Sequence, residues 1–217
     1  MLFSDLEYGF QEAFLAAWNA YKRGSMPIGC AIINSSGILM ARGENSIYAT
    51  DKNEAVSGHR LAHAELNAIL KVNGDEHPNI GSYVLYATME PCAMCYGAIV
   101  HGNLKKVKFA MRDNYLGGAR AINGQIDVFK NQNIDILGPV KELEILSVAL
   151  LVYRRLCFGF SHNETFFKDY SQYCPEGLEI GHDLYKDTLF KAMIADNVSP
   201  IKIFDYILNF GYTHRIL

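Results

Sequence analysis

The sequence predicts an α/β protein: a three-layer α/β/α sandwich around a mixed central sheet, followed by a helical C-terminal extension. Two observations carry this expectation. Apolar periodicity reads in the order helix, two strands, helix, strand, helix, strand, strand, helix, which implies a mixed sheet with helices on its faces. The texture then changes at residue 158, and residues 158–217 hold 12 of the chain's 26 aromatics, too many for a solvated tail. The expected organisation is one domain over 1–157 and an aromatic-rich, mainly helical extension over 158–217 that packs against it.

Each element has its own signal. Ser4 followed by Glu7 reads as a capping box, and Leu6, Phe10, Phe14, Ala17 and Tyr21 recur at helical spacing, giving a helix from about 5 to 22 that ends near Gly24. Ile28 to Ile33 and Ile38 to Arg42 flank an Asn-Ser-Ser-Gly turn and form a hairpin. The polar stretch 43–60 has no period and reads as a loop. Residues 62–72 read as a helix and Tyr83 to Ala87 as a buried strand. Pro91 suits the first turn of a helix running to about His101. Lys105 to Met111 alternates like a strand, Ile134 to Leu137 is a weaker one, and 140–156 is an apolar helix. Ser199-Pro200 opens a last helix that Gly211 closes.

Composition excludes several classes. Charged residues at 20% and aromatics at 12% of 217 residues describe a globular chain with a real core. No apolar run reaches the roughly 18 residues of a membrane helix, and the acidic N-terminus does not resemble a signal peptide. Five cysteines, two of them only three apart, are no disulfide framework, so the expectation is a soluble cytoplasmic protein. Residues 1–157 carry 15 basic and 15 acidic residues and 158–217 carry 5 and 8. That balance lacks the basic surplus by which proteins grip a nucleic-acid backbone. Lys105, Lys106, Lys108 and Arg112 lie close together and read as the solvated side of a strand.

Two short motifs carry chemistry. His63-Ala-Glu65 opens one helix and Pro91-Cys-Ala-Met-Cys95 opens another, and H-x-E with P-C-x-x-C is the mark of the zinc nucleobase deaminases. Cysteines three apart in a first helical turn put both sulfurs within reach of one ion. The helix N-terminus lowers their thiol pKa, and zinc favours the thiolate. His63 supplies the third ligand, which leaves a fourth tetrahedral position for water, as a catalytic zinc requires. Glu65, two residues after a ligand, is then the proton shuttle and not a ligand.

The chain resembles the cytidine deaminase-like superfamily, and within it the branch of bacterial tRNA adenosine deaminases and guanine deaminases. The text that carries the resemblance is Met26-Pro-Ile-Gly29, Gly43-Glu-Asn45, His63-Ala-Glu-Leu66 and Tyr86-Ala-Thr-Met-Glu-Pro-Cys-Ala-Met-Cys95, continued by Gly97-Ala-Ile and Phe109-Ala-Met-Arg-Asp113. It covers roughly residues 5–157. The resemblance implies that Asn45 hydrogen-bonds the substrate ring, that the Ala64 amide faces the base and that the Pro91 carbonyl lies near the leaving amine. It also implies a homodimer joined through helices beside the zinc site. Two departures separate the chain from its relatives: His59-Arg-Leu-Ala stands where the family has Asp-Pro-Thr-Ala or similar, and the loop from Asn45 to His63 is longer than in tRNA deaminases. The expected activity is therefore hydrolytic deamination of a small nucleobase or nucleoside, purines preferred. The alternatives are adenosine-to-inosine editing of tRNA and a non-catalytic zinc-binding subunit, which would typically lack the shuttle glutamate.

Plainer readings stand beside these. Cys92 and Cys95 could form a redox pair, or a structural zinc could take Cys30 or His101 as a fourth ligand. Asn45 could merely fix a turn, and His59 and His101 could line the pocket or face solvent. Cys30, Cys157 and Cys174 read as small core residues. Arg112 and Asp113 could touch nucleic acid or form a surface ion pair. Tyr115, Phe158, Phe160, Phe166 and Phe167 could stack on a base, although aromatic stripes are usually core.

Overall fold

A computed structural model describes residues 1–72, 74–125, 127, 129–132, 134–160 and 163–214. The chain divides into two compact units, Tyr8–Val140 and a second built from Met1–Glu7 with Lys141–Leu217.

The first unit contains α1 (Tyr8–Lys22), β1 (Gly29–Ile33), β2 (Leu39–Glu44), α2 (Ala64–Ile69), β3 (Val84–Met89), α3 (Ala93–His101), β4 (Lys106–Met111), α4 (Ala119–Ile122) and β5 (Asp135–Leu137). The strands form one sheet in the order β2-β1-β3-β4-β5. β1 is antiparallel to both β2 and β3, whereas β3, β4 and β5 run parallel, so the sheet is mixed as expected. Alternation assigns the faces. Cys30, Ile32, Leu85, Ala87, Val107 and Phe109 join Ala64 and Ala68 of α2 and Tyr96 and Ile99 of α3 in one buried cluster. On the opposite face Phe10 of α1 meets Tyr86 edge-on at 5.2 Å. The layers are thus α1, sheet, and α2 with α3.

The topology gathers chain ends at one edge of this sheet. Gly29, the first residue of β1, pairs with Glu44, the last of β2, and Cys30 pairs with Ala87 near the end of β3. Met89 pairs in parallel with Met111, so β4 ends there as well. The segments following β2, β3 and β4 all leave from this edge, the usual place for a site in a sheet with helices on its faces.

Several expected boundaries move. Leu6 is extended (ψ 152°), so Phe3–Asp5 is a separate 3₁₀ turn and α1 starts at Tyr8, not near 5. Ser4 therefore lies in the 3₁₀ turn, outside α1. Pro91 lies one residue before Cys92, the N-cap of α3, rather than inside its first turn. The helix expected over 62–72 is confined to Ala64–Ile69. The hairpin holds as read: Asn34 Oδ1 accepts from the amides of Ser36 and Ile38, and Gly37 takes φ +78° to close the turn.

The second unit is helical: α5 (Lys141–Phe158), α6 (Asn163–Tyr173), α7 (Pro175–Lys186), α8 (Thr188–Ala195) and α9 (Pro200–His214). α9 runs through Gly211 to His214 instead of ending at the glycine. α7 lies close on α5 because Gly177 and Gly181 have no side chain. A Cβ at Gly181 would sit 2.5 Å from Val152 Cβ, and one at Gly177 2.8 Å from Val148 Cβ. The apolar helix 141–158 belongs to this unit, so its boundary falls at 140, one helix before the change in composition at 158. Of the aromatics after residue 157, Phe166, Tyr170, Phe190, Phe204 and Phe210 are buried in the unit's core. Phe3 stacks on Phe204 at 4.7 Å, and Phe190 packs edge-on against Tyr153 at 5.0 Å. Phe166 is buried and Phe158 exposed. Cys30 and Cys174 are buried as expected, but Cys157 is exposed on the last turn of α5 and is no core residue. No helix among the described residues is long and apolar enough to cross a membrane.

Candidate active site

At the sheet edge the N-termini of α2 and α3 converge. His63 is the N-cap of α2 and Cys92 the N-cap of α3, each in extended backbone conformation, with Cys95 one turn into α3. His63 Nδ1 lies 3.6 Å from Cys92 Sγ and 3.6 Å from Cys95 Sγ. A zinc ion bound tetrahedrally at about 2.3 Å from sulfur and about 2.0 Å from nitrogen separates those ligand atoms by about 3.5 Å. The residues present therefore fit zinc in both spacing and donor chemistry.

Electrostatics favours a cation here. Hydrogen bonding with the Cys95 side chain, helped by His63, lowers the Cys92 pKa to about 4 despite partial burial. The same hydrogen bond and burial push the Cys95 thiol up, and contact with the Cys92 sulfur raises His63. A thiolate already poised beside an imidazole is a soft anionic donor set. Among the described residues, His63, Cys92 and Cys95 are the group arranged to hold a metal. Neither Cys30 nor His101 joins them, so three ligands leave a position open. We expect Cys95→Ser to lose stoichiometric zinc and to lower Tm relative to wild type, measured by metal analysis and calorimetry. Unchanged zinc content would remove Cys95 from the ligand set.

Glu65 is buried on the first turn of α2, with Cys95 Sγ 3.4 Å from its Oε2. Burial raises its carboxyl pKa, and the His63 charge opposes that shift. Ala64, the first helical residue, has an amide with no acceptor inside the helix. Asn45 is buried where the chain leaves β2; its amide donates to Ile28 O at 3.0 Å and its Oδ1 accepts from Ser25 Oγ at 2.7 Å. The Pro91 carbonyl accepts from the amides of Gly118 (3.3 Å) and Ala119 (3.1 Å), which ties the 117–119 turn to the cysteine-bearing turn.

Other expected residues make local contacts. His59 is exposed and its Nδ1 accepts from the Leu61 amide, a local turn contact. Asp113 Oδ1 accepts from the amides of Tyr115 and Leu116, so it builds a turn. Lys106 is exposed and Lys108 lies over the Tyr86 ring at 5.5 Å.

The structure adds supports that periodicity did not reveal. Asn67 of α2 reaches back to the long loop, accepting from the Val56 amide and donating to the carbonyls of Glu44 and Val56. Glu54 accepts from the Glu44 amide and pairs with Lys71 at 2.6 Å. The rim loop is therefore fastened to the helix that carries Glu65. Glu90, directly before Pro91, is buried and holds Arg120 through both carboxylate oxygens. A buried acid inside Met-Glu-Pro-Cys was a visible signal; Asn67 had none.

Comparison with known proteins places these features in context. Residues 3–111 match the family model described as the cytidine and deoxycytidylate deaminase zinc-binding region. A cytosine deaminase of Candida albicans is 29% identical over 123 residues, 56% of this chain and 76% of that protein. A tRNA-specific adenosine deaminase of Streptococcus pyogenes is 32% identical over 116 residues, 53% of this chain and 68% of that protein. Among solved structures, a guanine deaminase from Nitrosomonas europaea superposes with a TM-score of 0.53 at 19% identity, covering 69% of this chain and 84% of that one.

Proposed function

This chain belongs to the cytidine and deoxycytidylate deaminase zinc-binding family, whose members are zinc-dependent hydrolases of C–N bonds, and on that premise we propose that its substrate is a free aminated nucleobase or nucleoside, with purines preferred. The observation that carries this reading is the buried Glu65 carboxylate beside a three-ligand set, with Asn45 on the neighbouring strand end. Zinc held by His63, Cys92 and Cys95 would supply the Lewis acidity that makes water nucleophilic at neutral pH. Glu65 takes a proton from the attacking water and delivers it to the ring nitrogen beside the amino-bearing carbon. The C–O bond forms, the C–N bond breaks, and the amine leaves as ammonia with a further proton passed by Glu65. Asn45 orients the ring by hydrogen bonding, and the Ala64 amide faces the base. Pro91 acts as a wall beside the leaving amine, its carbonyl already serving two amides.

Two features support a small substrate over tRNA. The charge balance of residues 1–157 offers no basic surplus, and the long rim loop is fastened at Asn67 and Glu54. A cytoplasmic setting keeps both cysteines reduced, and exposed Leu61 and Leu70 beside α2 support a homodimer. The test is ammonia release by the zinc-loaded full chain from adenine, guanine, cytosine, their nucleosides and a tRNA anticodon stem-loop. A Glu65→Ala protein serves as blank. Turnover of a base or nucleoside is expected, and turnover of the stem-loop alone would overturn the substrate class.

A further inference from the structure

Ser25 is placed by the end of α1. Gly24 takes φ +78°, its amide donates to Tyr21 O, and the Ser25 amide donates back to Ala20 O. These two bonds and the left-handed glycine form a Schellman cap, which fixes the residue following the glycine. The Ser25 side chain is fully buried, and its Oγ lies 2.7 Å from Asn45 Oδ1 and accepts from the Tyr48 amide at 3.3 Å. Asn45 Oδ1 also accepts from the Ile47 amide at 3.3 Å.

Polarity along this chain is forced. Backbone amides only donate, so the Tyr48 amide turns the Ser25 hydroxyl proton toward Asn45, and the Ile47 amide requires that Asn45 present its oxygen there. With the oxygen engaged twice, the amide nitrogen is the group left to face the substrate.

We propose that Ser25 is a positioning residue that locks the Asn45 amide as a hydrogen-bond donor and thereby selects a base with a ring acceptor; this rests on the base-binding role of Asn45 proposed above. Of the two contacts to Asn45 Oδ1, the Ser25 bond is the shorter and stronger. Without it the amide can turn, and the site offers an oxygen where the substrate has a lone pair.

The test compares zinc-loaded wild type, Ser25→Ala, Ser25→Thr and Asn45→Ala on guanine, 3-deazaguanine and 7-deazaguanine, each deaza form having one ring acceptor replaced by C–H. Wild type is expected to prefer guanine over one deaza form by about tenfold or more in kcat/KM. In Ser25→Ala and Asn45→Ala that preference falls below about threefold, chiefly through a higher KM for guanine, while Ser25→Thr, which keeps the hydroxyl, retains it. Equal losses on all three bases in Ser25→Ala would mark a merely structural role and overturn the proposal. If wild type turns over no purine base, the purine preference fails by itself, and heteronuclear NMR of the zinc-loaded protein decides the role of Ser25. The Asn45 side-chain amide, identified by its loss in Asn45→Ala, is expected to give one sharp pair of peaks in wild type and a broadened or doubled pair in Ser25→Ala. An unchanged pair overturns the proposal.

Discussion

Replacing Glu65 by glutamine is expected to lower kcat by about 10²–10⁴-fold while zinc content stays at the wild-type level. Glutamine matches the carboxylate in shape but cannot take and return a proton, so the substitution separates proton transfer from packing. The site predicts which properties survive. Glu65 is buried, and its charged form is disfavoured by desolvation, so a neutral side chain of the same volume does not weaken α2. His63, Cys92 and Cys95 converge without it, so the metal is retained. Steady-state ammonia release and metal analysis on the same preparation check both halves. A kcat within tenfold of wild type would mean that another group moves the proton. Joint loss of zinc and activity would make Glu65 part of the metal shell.

What the sequence made legible follows from how local each signal is. His63, Cys92, Cys95 and Glu65 sit in two contiguous motifs, so they could be singled out by the resemblance those motifs carry before any fold was known. The sheet was readable for the same reason: its strands are short apolar runs bounded by turns, and the Asn34–Gly37 turn carries its own chemistry. Boundaries were less legible because caps depend on backbone geometry. Ser4 and Glu7 have the spacing of a capping box, yet the extended Leu6 falls between them and leaves Ser4 in the 3₁₀ turn outside α1. Pro91 has the residue type of a first helical position, but Cys92 takes the cap and the proline carbonyl turns to the 117–119 segment. The positioning residues were hidden for a third reason. Asn67, Glu54 and Ser25 act across 10 to 23 positions of sequence, and nothing in their neighbourhoods distinguishes them from ordinary polar residues. Composition marked a change at 158, whereas packing joins the preceding helix to the C-terminal unit, because the Gly177 and Gly181 face of α7 accepts it.

Gly43→Ala is expected to be strongly damaging for a single methyl group added to the sheet. A Cβ at Gly43 would lie 2.0 Å from the Ala64 carbonyl oxygen and 2.4 Å from the Ala68 amide nitrogen, both backbone atoms of α2. Backbone cannot rotate away as a side-chain tip can, so the helix must move off the sheet. Overpacking a close-packed core typically costs about 1–3 kcal/mol, and contact with helix backbone belongs at the upper end. At about 2–4 °C per kcal/mol for a chain of this size, Tm should fall by about 6–12 °C. The displaced atoms make this more than a stability effect. Ala64 begins α2, His63 caps it and Glu65 follows, so a shift at Ala64 moves His63 and Glu65 together. Gly43→Ala should therefore lower kcat and weaken zinc retention even below the new Tm. Gly81→Ala provides the comparison, because its nearest neighbour would be 3.5 Å away and its stability should stay within about 0.5 kcal/mol of wild type. Calorimetry, metal analysis and kinetics on the two variants decide the matter. If Gly43→Ala keeps wild-type Tm and zinc, the close approach of β2 to α2 does not hold the site together, and the rim-loop fastening at Asn67 must carry that load.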